Sequence, residues 1–478
     1  MNILRSRTSL LWEVLLIVAI GVLLYAGVSW QLFIWYTDAA KYQCYAEAFW
    51  HGTAILQTLP LEQQQCTFVT HPSPEMVVMT QQSLLTLLQT WHAPVWLLSF
   101  ANAQQTSQPF HSLPHEYPLL SILVFSIGLL APSSFYQVAF ALGIDALVIV
   151  IYMLLRRYRS REAAIAFGLY IIAGGWSVAL SRYDVVPALM TLIALMCAER
   201  RRWRWAFALL ALGTMLKFYP VVFVPPLLIA QYREQHRSWS GVRSLYRVAT
   251  HGFEMFVLVC TALLGLSLLL SVEGTIGQFG FFNNRPIQAE SVAASILWLA
   301  GFVGIQPHYN ASFSSLNIVS WLSPGVSLVF TVATIVGLLY VFWLQWRGNV
   351  ELPAAFLLTM LVILCTGKVF SPQYLLWVFP LVAYTGACHR KWLLTWIAIG
   401  GLTTWIFPYI YYEARIFLRV PMLPLFYPVV ILRNALLVAF TLNLLYHHAQ
   451  RRTGIPLPVE MPPVPEPERV LVLAQEEL

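Results

Sequence analysis

Charge is what this 478-residue chain has least of. Asp, Glu, Lys and Arg together make up 10% of it, where a soluble domain carries about 25%, and that excludes an ordinary soluble enzyme. Cysteine is sparse too. None of the six stands in a Cys-x-x-Cys pair, so the spacing offers neither a zinc framework nor a dithiol redox centre. No His/Cys cluster with ligand spacing and no glycine-rich phosphate loop occurs, so neither a resident metal nor a nucleotide-bound donor is expected. Strict polar–apolar alternation is missing from the long hydrophobic runs, which excludes a transmembrane barrel.

What remains is hydrophobic: 59% of the chain, arranged in repeated runs of about 20 residues, the signature of helices that cross a bilayer. The sequence therefore predicts an all-α polytopic integral membrane protein with about 12 transmembrane helices. The first run, 11–35, is too long for a signal-peptide core and lacks a clear small-residue cleavage site, so it reads as a retained span. The net charge of +7 resides in loops and gives no case for nucleic-acid binding.

Most of the 28 Lys and Arg residues fall in bursts between the runs: Arg156-Arg157-Tyr158-Arg159, Arg200-Arg201-Arg202-Trp203-Arg204, the stretch from Arg233 to Arg247, Arg390-Lys391 and Arg451-Arg452. Basic loops stay in the cytoplasm. With Arg5, Arg7 and these bursts inside, spans are expected at 11–35, 135–155, 163–180, 185–198, two short ones within 206–230 broken at Lys217-Phe218-Tyr219-Pro220, and then 253–272, 319–345, 352–367, 373–388, 392–410 and 425–446. Proline ends or kinks a helix, which favours the broken reading of 206–230. Both termini are then cytoplasmic in a plasma (inner) membrane, and two long loops, 36–134 and 273–317, lie outside. Apolar stretches at 84–100, 117–131 and 291–304 are too short to span and read as interfacial or re-entrant helices in those loops. The bursts are expected to orient the helices, with little depending on individual positions. The membrane domain is expected to cover 1–452. The Pro- and Glu-rich tail, 453–478, is expected to be a disordered cytoplasmic extension. Cys44 and Cys66 share the first outer loop, where a disulfide and two free thiols are equally open readings.

A few charged and polar residues stand apart from the bursts, in short segments at the outer ends of the predicted spans. Asp38 follows the first span, where a carboxylate at the membrane boundary suits a general base, although it also suits a helix start. Glu116 precedes an interfacial helix and fits either the same site or that helix's first turn. Arg182 and Asp184 share a hairpin tip, as a mutual ion pair or as substrate contacts. Lys217, beside Tyr219, sits in an apolar run where a lysine is costly unless it is paired, faces a cavity or snorkels. Arg285, Gln288 and Glu290 precede a short helix; arginine suits bidentate phosphate binding, and a helix start offers free N–H groups to an anion. Lys368 and Gln373 add a cation and an amide. Asp145, inside a span, is expected to make an interhelical hydrogen bond. A carboxylate and several cations on one face, with no nucleotide motif, point to a lipid-linked phosphate donor.

In order, these segments resemble the GT-C glycosyltransferases that use polyprenyl-phosphate sugars, and most closely glycosyltransferase family 87, the polyprenol-phosphate-mannose-dependent α-mannosyltransferases. The resemblance rests on Asp38, Tyr42 and Gly52; on Tyr117-Pro118; on Arg182-Tyr183-Asp184-Val185-Val186-Pro187-Ala188-Leu189; on Lys217-Phe218-Tyr219-Pro220; on Arg285 through Ser291; and on Ser371-Pro372-Gln373-Tyr374 through Trp377. Each motif is weak alone, and the ordered set is specific. A more distant resemblance is to the first mannosyltransferase of GPI-anchor synthesis, whose Asp-x-Asp has Ala40 in place of the second acid here, so a metal held by paired acids is not implied. The resemblance implies a GT-C-like fold. It implies inverting transfer of a hexose, mannose above all, from a polyprenyl-phosphate donor to a lipid or glycan acceptor on the outer face. Asp38 would then be the base, and Arg285, Lys217 and Lys368 would take the leaving phosphate. Arg182, Asp184, Gln288, Glu290, Tyr219, Gln373 and Glu116 would contact sugar or phosphate, with no cofactor beyond the donor itself. The alternatives are a transporter or flippase of lipid-linked sugars and a non-catalytic relative.

Overall fold

The computed structural model describes residues 2–34, 37–59, 66–71, 80–235 and 252–450. The predicted tail and most of the basic stretch from Arg233 to Arg247 lie outside the described residues. The protein is an all-α membrane protein. Five helical segments are long and apolar enough to cross a bilayer: Leu11–Gln31, Ser133–Tyr158, Ser323–Arg347, Arg390–Ala414 and Phe426–Gln450. Shorter apolar helices of 10–17 residues fill in between them.

The chain opens with α1 (Asn2–Val28) and then enters α2 (Asp38–His51). Thr37 starts α2, its Oγ1 accepting the Ala40 N–H at 3.2 Å, and Asp38 adds the negative charge that a helix N-terminus favours. Gly52 stops it at φ +82°, where a side chain would also strike the Ser107 carbonyl. Cys44 on α2 is bridged to Cys66, which settles the open reading of those thiols. The rest of the first outer loop carries α3 (Gln81–Thr90) and α4 (Val95–Ala103), broken between them at His92 and Pro94 as the sequence suggests. A short helix, α5 (Leu120–Phe125), packs on α2 and leaves Leu123 exposed.

Next come α6 (Tyr136–Tyr158), α7 (Arg161–Gly175), α8 (Val185–Glu199) and α9 (Trp203–Leu216). Helix α9 ends where the sequence puts a break: Lys217 is extended, a 3-10 turn covers Tyr219–Phe223, and α10 (Val224–Gln235) resumes. Beyond the undescribed stretch follow α11 (Glu254–Leu270), α12 (Val272–Asn284) and α13 (Val292–Ala300). Helix α12 falls within the predicted loop 273–317 and was not expected. Its buried face carries Gly274 and Gly277, which let it lie against Leu113 and His115.

The same loop holds a second departure, an antiparallel hairpin of β1 (His308–Ser312) and β2 (Ser315–Val319). Its alternating Tyr309, Ala311, Leu316 and Ile318 set one apolar face, a period-2 pattern that a search for helical runs passes over. Strand β2 also pairs with the segment before α13: Ala289 N–H donates to Leu316 O and Ile318 N–H to Ile287 O, both at 2.9 Å. The chain closes with α14 (Ser323–Arg347), α15 (Leu352–Thr366), α16 (Leu375–Gly386), α17 (Arg390–Thr404) and α18 (Phe426–Gln450). Helix α14 starts later than position 319 because β2 occupies those residues.

Two sequence expectations change. Asp145 lies against Gly21 of α1, where an added Cβ would meet its carboxylate at 2.8 Å, and its Oδ1 has no hydrogen-bond partner. The basic bursts also do more than orient. Arg156 and Arg161 converge on the buried Glu13 of α1, Arg159 lies over Tyr384 and Arg200 over Tyr158. They tie helix ends together on the side away from Asp38.

Helices α7 and α17 cross at glycine on glycine. A Cβ on Gly174 would sit 2.8 Å from the Gly400 Cα, and one on Gly400 would sit 2.9 Å from the Gly174 N. Small residues permit this approach in membranes, where packing rather than water drives association. Gly400→Val is therefore expected to force the helices apart and destabilise the protein by about 1–3 kcal/mol, read as a lowered midpoint of thermal unfolding in detergent.

Candidate active site at the helix ends

Site residues come from five chain segments, each held at a helix end. Asp38 sits in the first turn of α2. Behind it, Tyr42 stacks on Phe125 at 4.2 Å and meets Tyr183 and Tyr117 edge-on at 5.6 and 5.8 Å. Tyr42, Phe125 and Tyr183 are buried, so their rings fix α2 in place. Glu116 is buried beside them and accepts the Tyr45 hydroxyl at 3.2 Å.

The turn between α7 and α8 carries Arg182, Tyr183 and Asp184. Arg182 and Asp184 do not pair with each other. Arg182 reaches Asp38 in a salt bridge. Asp184, at the N-cap position of α8, makes no cap bond. Its Oδ1 instead accepts both the Lys217 ammonium and the Trp377 indole N–H, each at 2.6 Å. Lys217 is thus paired rather than snorkelling, and its ammonium also lies 5.0 Å from the Tyr183 ring centre and 5.2 Å from that of Trp377. The structure needs the break after Leu216 for this contact, because the extended Lys217 leaves the helix there.

Trp377 joins the next two segments. Tyr219 stacks on one of its faces and Tyr374 on the other, both at 4.1 Å. Tyr374 in turn takes a hydrogen bond from Arg285 and lies in the field of Arg182 and Asp184. Arg285 acts on Lys368 as well. Burial first, and then the Arg285 guanidinium, push the Lys368 ammonium below its ordinary range. Two neighbouring cations, each partly screened from water, favour an anion beside them, because it offsets both their repulsion and their loss of solvation. The Gln288 N–H donates to the Lys368 carbonyl at 2.9 Å. The Oε1 atoms of Gln288 and Gln373 and the Asp184 Oδ2 are buried without a partner, which leaves polar atoms of this cluster open to a ligand.

Exposure is graded across the cluster. Asp38 and Arg182 retain 17% and 21% of their side-chain surface, Lys217 13% and Asp184 none. The Asp38–Arg182 pair is the more exposed end of the cluster and Asp184 its buried end.

Glu290 is placed elsewhere. It is buried with Arg433 of α18, whose guanidinium donates to Glu290 Oε2 at 3.1 Å and to its carbonyl at 2.5 Å, while the Tyr411 hydroxyl donates to Oε1 at 2.9 Å. Burial raises the Glu290 carboxyl above its usual range and Arg433 opposes that rise. The nearby start of α13 is capped internally, Ser291 Oγ accepting the Ala294 N–H at 3.0 Å, so that N-terminus already has an acceptor. Tyr374 and Trp377 carried the resemblance without an assigned role, and Arg433 was not singled out from the sequence. Arg433 had the clearest signal, an arginine within an apolar span.

Fold and site together define an integral membrane protein with a mixed-charge cluster at the ends of its helices. The model of Glycosyltransferase family 87 matches residues 115–372, more than half of the chain, and the protein belongs to that family. It is therefore a membrane glycosyltransferase. The match starts beyond Asp38, which the fold brings onto the matched Arg182. No curated protein and no solved structure matches the chain.

Removing one member of a buried pair strands the other charge. Arg433→Leu is expected to cost about 3–5 kcal/mol, and Glu290→Leu added to it should restore part of that, measured by thermal unfolding of the three variants.

Proposed function

We propose that the protein transfers a hexose, mannose foremost, from a polyprenyl-phosphate donor to a hydroxyl of a lipid or glycan acceptor, with inversion at the anomeric carbon. The observation that carries this reading is the junction of Asp38 with Arg182, beside Lys217, Arg285 and Lys368, at one set of helix ends. Asp38 takes the acceptor proton as the acceptor oxygen attacks C1 of the sugar. The bond from C1 to the phosphate oxygen breaks, and the phosphodiester becomes a monoester that carries more negative charge. Arg285, Lys368 and Lys217 stabilise that charge as it develops. Arg182 holds the Asp38 carboxylate in place, and Trp377 keeps Asp184 and the Tyr374–Arg285 contact in one unit. No step needs a metal.

In this reading 12 spans cross the membrane, the termini are cytoplasmic and the site opens outward. The Cys44–Cys66 bridge supports the outward face, because disulfides persist on the oxidising side of a membrane. The basic bursts near Arg156 and Arg200 support the cytoplasmic assignment of the opposite end.

Incubating the purified protein with radiolabelled polyprenyl-phosphate mannose and total host lipids should yield a new labelled glycolipid or glycan. Absence of product with any polyprenyl-phosphate sugar would reject the reading. Asp38→Asn is expected to lower transfer by about 10²–10⁴-fold while costing no more than about 1 kcal/mol of stability, as for a partly exposed ion pair, and wild-type turnover in that variant would remove Asp38 from the chemistry. Single cysteines introduced at Arg182 and Arg201 should react with a membrane-impermeant thiol reagent from opposite sides of sealed vesicles. Labelling of both from one side would break the topology.

A further inference from the structure

The hairpin of β1 and β2 touches both ends of the site. At its tip, Lys41 of α2 donates from Nζ to Ser314 Oγ at 2.7 Å. Lys41 stands one helical turn beyond Asp38, on nearly the same side of α2. At the other edge of the ribbon, Asn317 of β2 bridges to Gln288, and the Gln288 N–H donates to the Lys368 carbonyl. A continuous path of short contacts therefore runs from the Asp38 helix, through the tip, across the ribbon, to the segment that carries Arg285 and Lys368.

The tip is built at a cost. Phe313 and Ser314 have φ of +51° and +53°, the left-handed region that two-residue hairpin turns normally fill with Asn and Gly. Such residues cost about 1–3 kcal/mol each and persist only where their surroundings over-determine them. Here Asn317 supplies that constraint. It is fully buried and donates from Nδ2 to Ser312 O at 3.1 Å and Ser312 Oγ at 3.0 Å, while its Oδ1 accepts from Ser315 Oγ at 2.9 Å. The serine at the strained position is the one whose hydroxyl receives Lys41, so the strain is retained where a glycine would lose the contact.

We propose that Lys41 and the Ser314 tip are positioning residues for transfer: the hairpin sets the distance between the Asp38 carboxylate and the Arg285–Lys368 cations, so that base and leaving phosphate act on one bound donor. This rests on the glycosyl-transfer reading above. Lys41 acts by holding the start of α2 rather than on the sugar, and the ribbon adds a second link between the two ends of the site, beside the path through Arg182, Asp184, Trp377 and Tyr374.

The test uses the full chain in detergent, polyprenyl-phosphate mannose as donor and octyl α-mannoside as acceptor probe. Lys41→Ala, Ser314→Ala and Ser314→Gly should each lower kcat by about 10–100-fold, since small misplacements of reacting groups cost up to about 100-fold. The KM for donor and the affinity for polyprenyl phosphate should stay within about two-fold, because the phosphate cations are untouched. Ser314→Gly relieves the backbone strain, so it should unfold no earlier than wild type while still losing turnover, which separates positioning from folding. Lys41→Arg should recover most of the rate. The double variant Lys41→Ala with Ser314→Ala should be no worse than either single change, as expected for two groups acting through one contact. Unchanged kcat in Ser314→Gly and Lys41→Ala overturns the proposal, as does a loss of polyprenyl-phosphate binding that matches the loss of rate. A wild-type protein that transfers nothing from any polyprenyl-phosphate sugar, to this probe or to total host lipids, overturns the glycosyl-transfer reading and the positioning role with it, a result distinct from an active wild type with indifferent variants.

Discussion

The site depends on a crossed pairing. Arg182 and Asp184 stand two residues apart on one turn, and each turns away from the other, Arg182 to Asp38 and Asp184 to Lys217. Charges carried into an apolar bundle are tolerated only when paired and hydrogen-bonded. Had the two paired with one another, Asp38 and Lys217 would each have been left as an uncompensated charge at a helix end. The crossed arrangement neutralises all four and welds the start of α2, the α7–α8 turn and the end of α9 into one unit. Trp377 extends the weld to α16 through its hydrogen bond to Asp184.

A second buried pair plays a structural part. Glu290 and Arg433 join the segment before α13 to α18 within a smaller hydrophobic cluster that includes Ile287, Leu316, Ile318 and Phe426. Arg433 also lies 4.2 Å from the Phe370 ring centre, two residues past Lys368. Behind Arg285 and Lys368 therefore lies a dry, paired charge that is not available to a ligand. Arg285 and Glu290, five residues apart, serve different ends because the backbone between them bridges to β2 at Gln288 and then turns before α13.

Much of the fold was legible because membrane helices announce themselves. Runs of apolar residues gave the helices to within a few positions, and Pro220 with Lys217 marked the interruption between α9 and α10. The ordered motifs marked Arg182, Lys217, Arg285 and Lys368 as a set. The partners of those residues were not legible. Nothing in Ser-Arg-Tyr-Asp says that the arginine prefers an aspartate from another loop, since that choice is made by the packing of Tyr42, Tyr183 and Phe125. The hairpin escaped because five-residue strands leave only a weak period-2 trace amid strong helical signals. Arg433 was overlooked although a lone arginine in an apolar span is itself a signal, because it stood among residues that otherwise looked like lipid-facing helix.

The grading of exposure bears on how such a site can work at a membrane surface. Asp184 is wholly buried and bonded twice through one oxygen, so it is ill suited to exchange protons with a substrate hydroxyl. Asp38 is bonded to a single arginine and retains some open surface. Of the two, Asp38 is the carboxylate that stays within reach of solvent. Arg285 joins the same cluster through Tyr374, which stacks on Trp377, so the exposed carboxylate and the more distant cation are tied through one aromatic stack that the buried Asp184 holds in place.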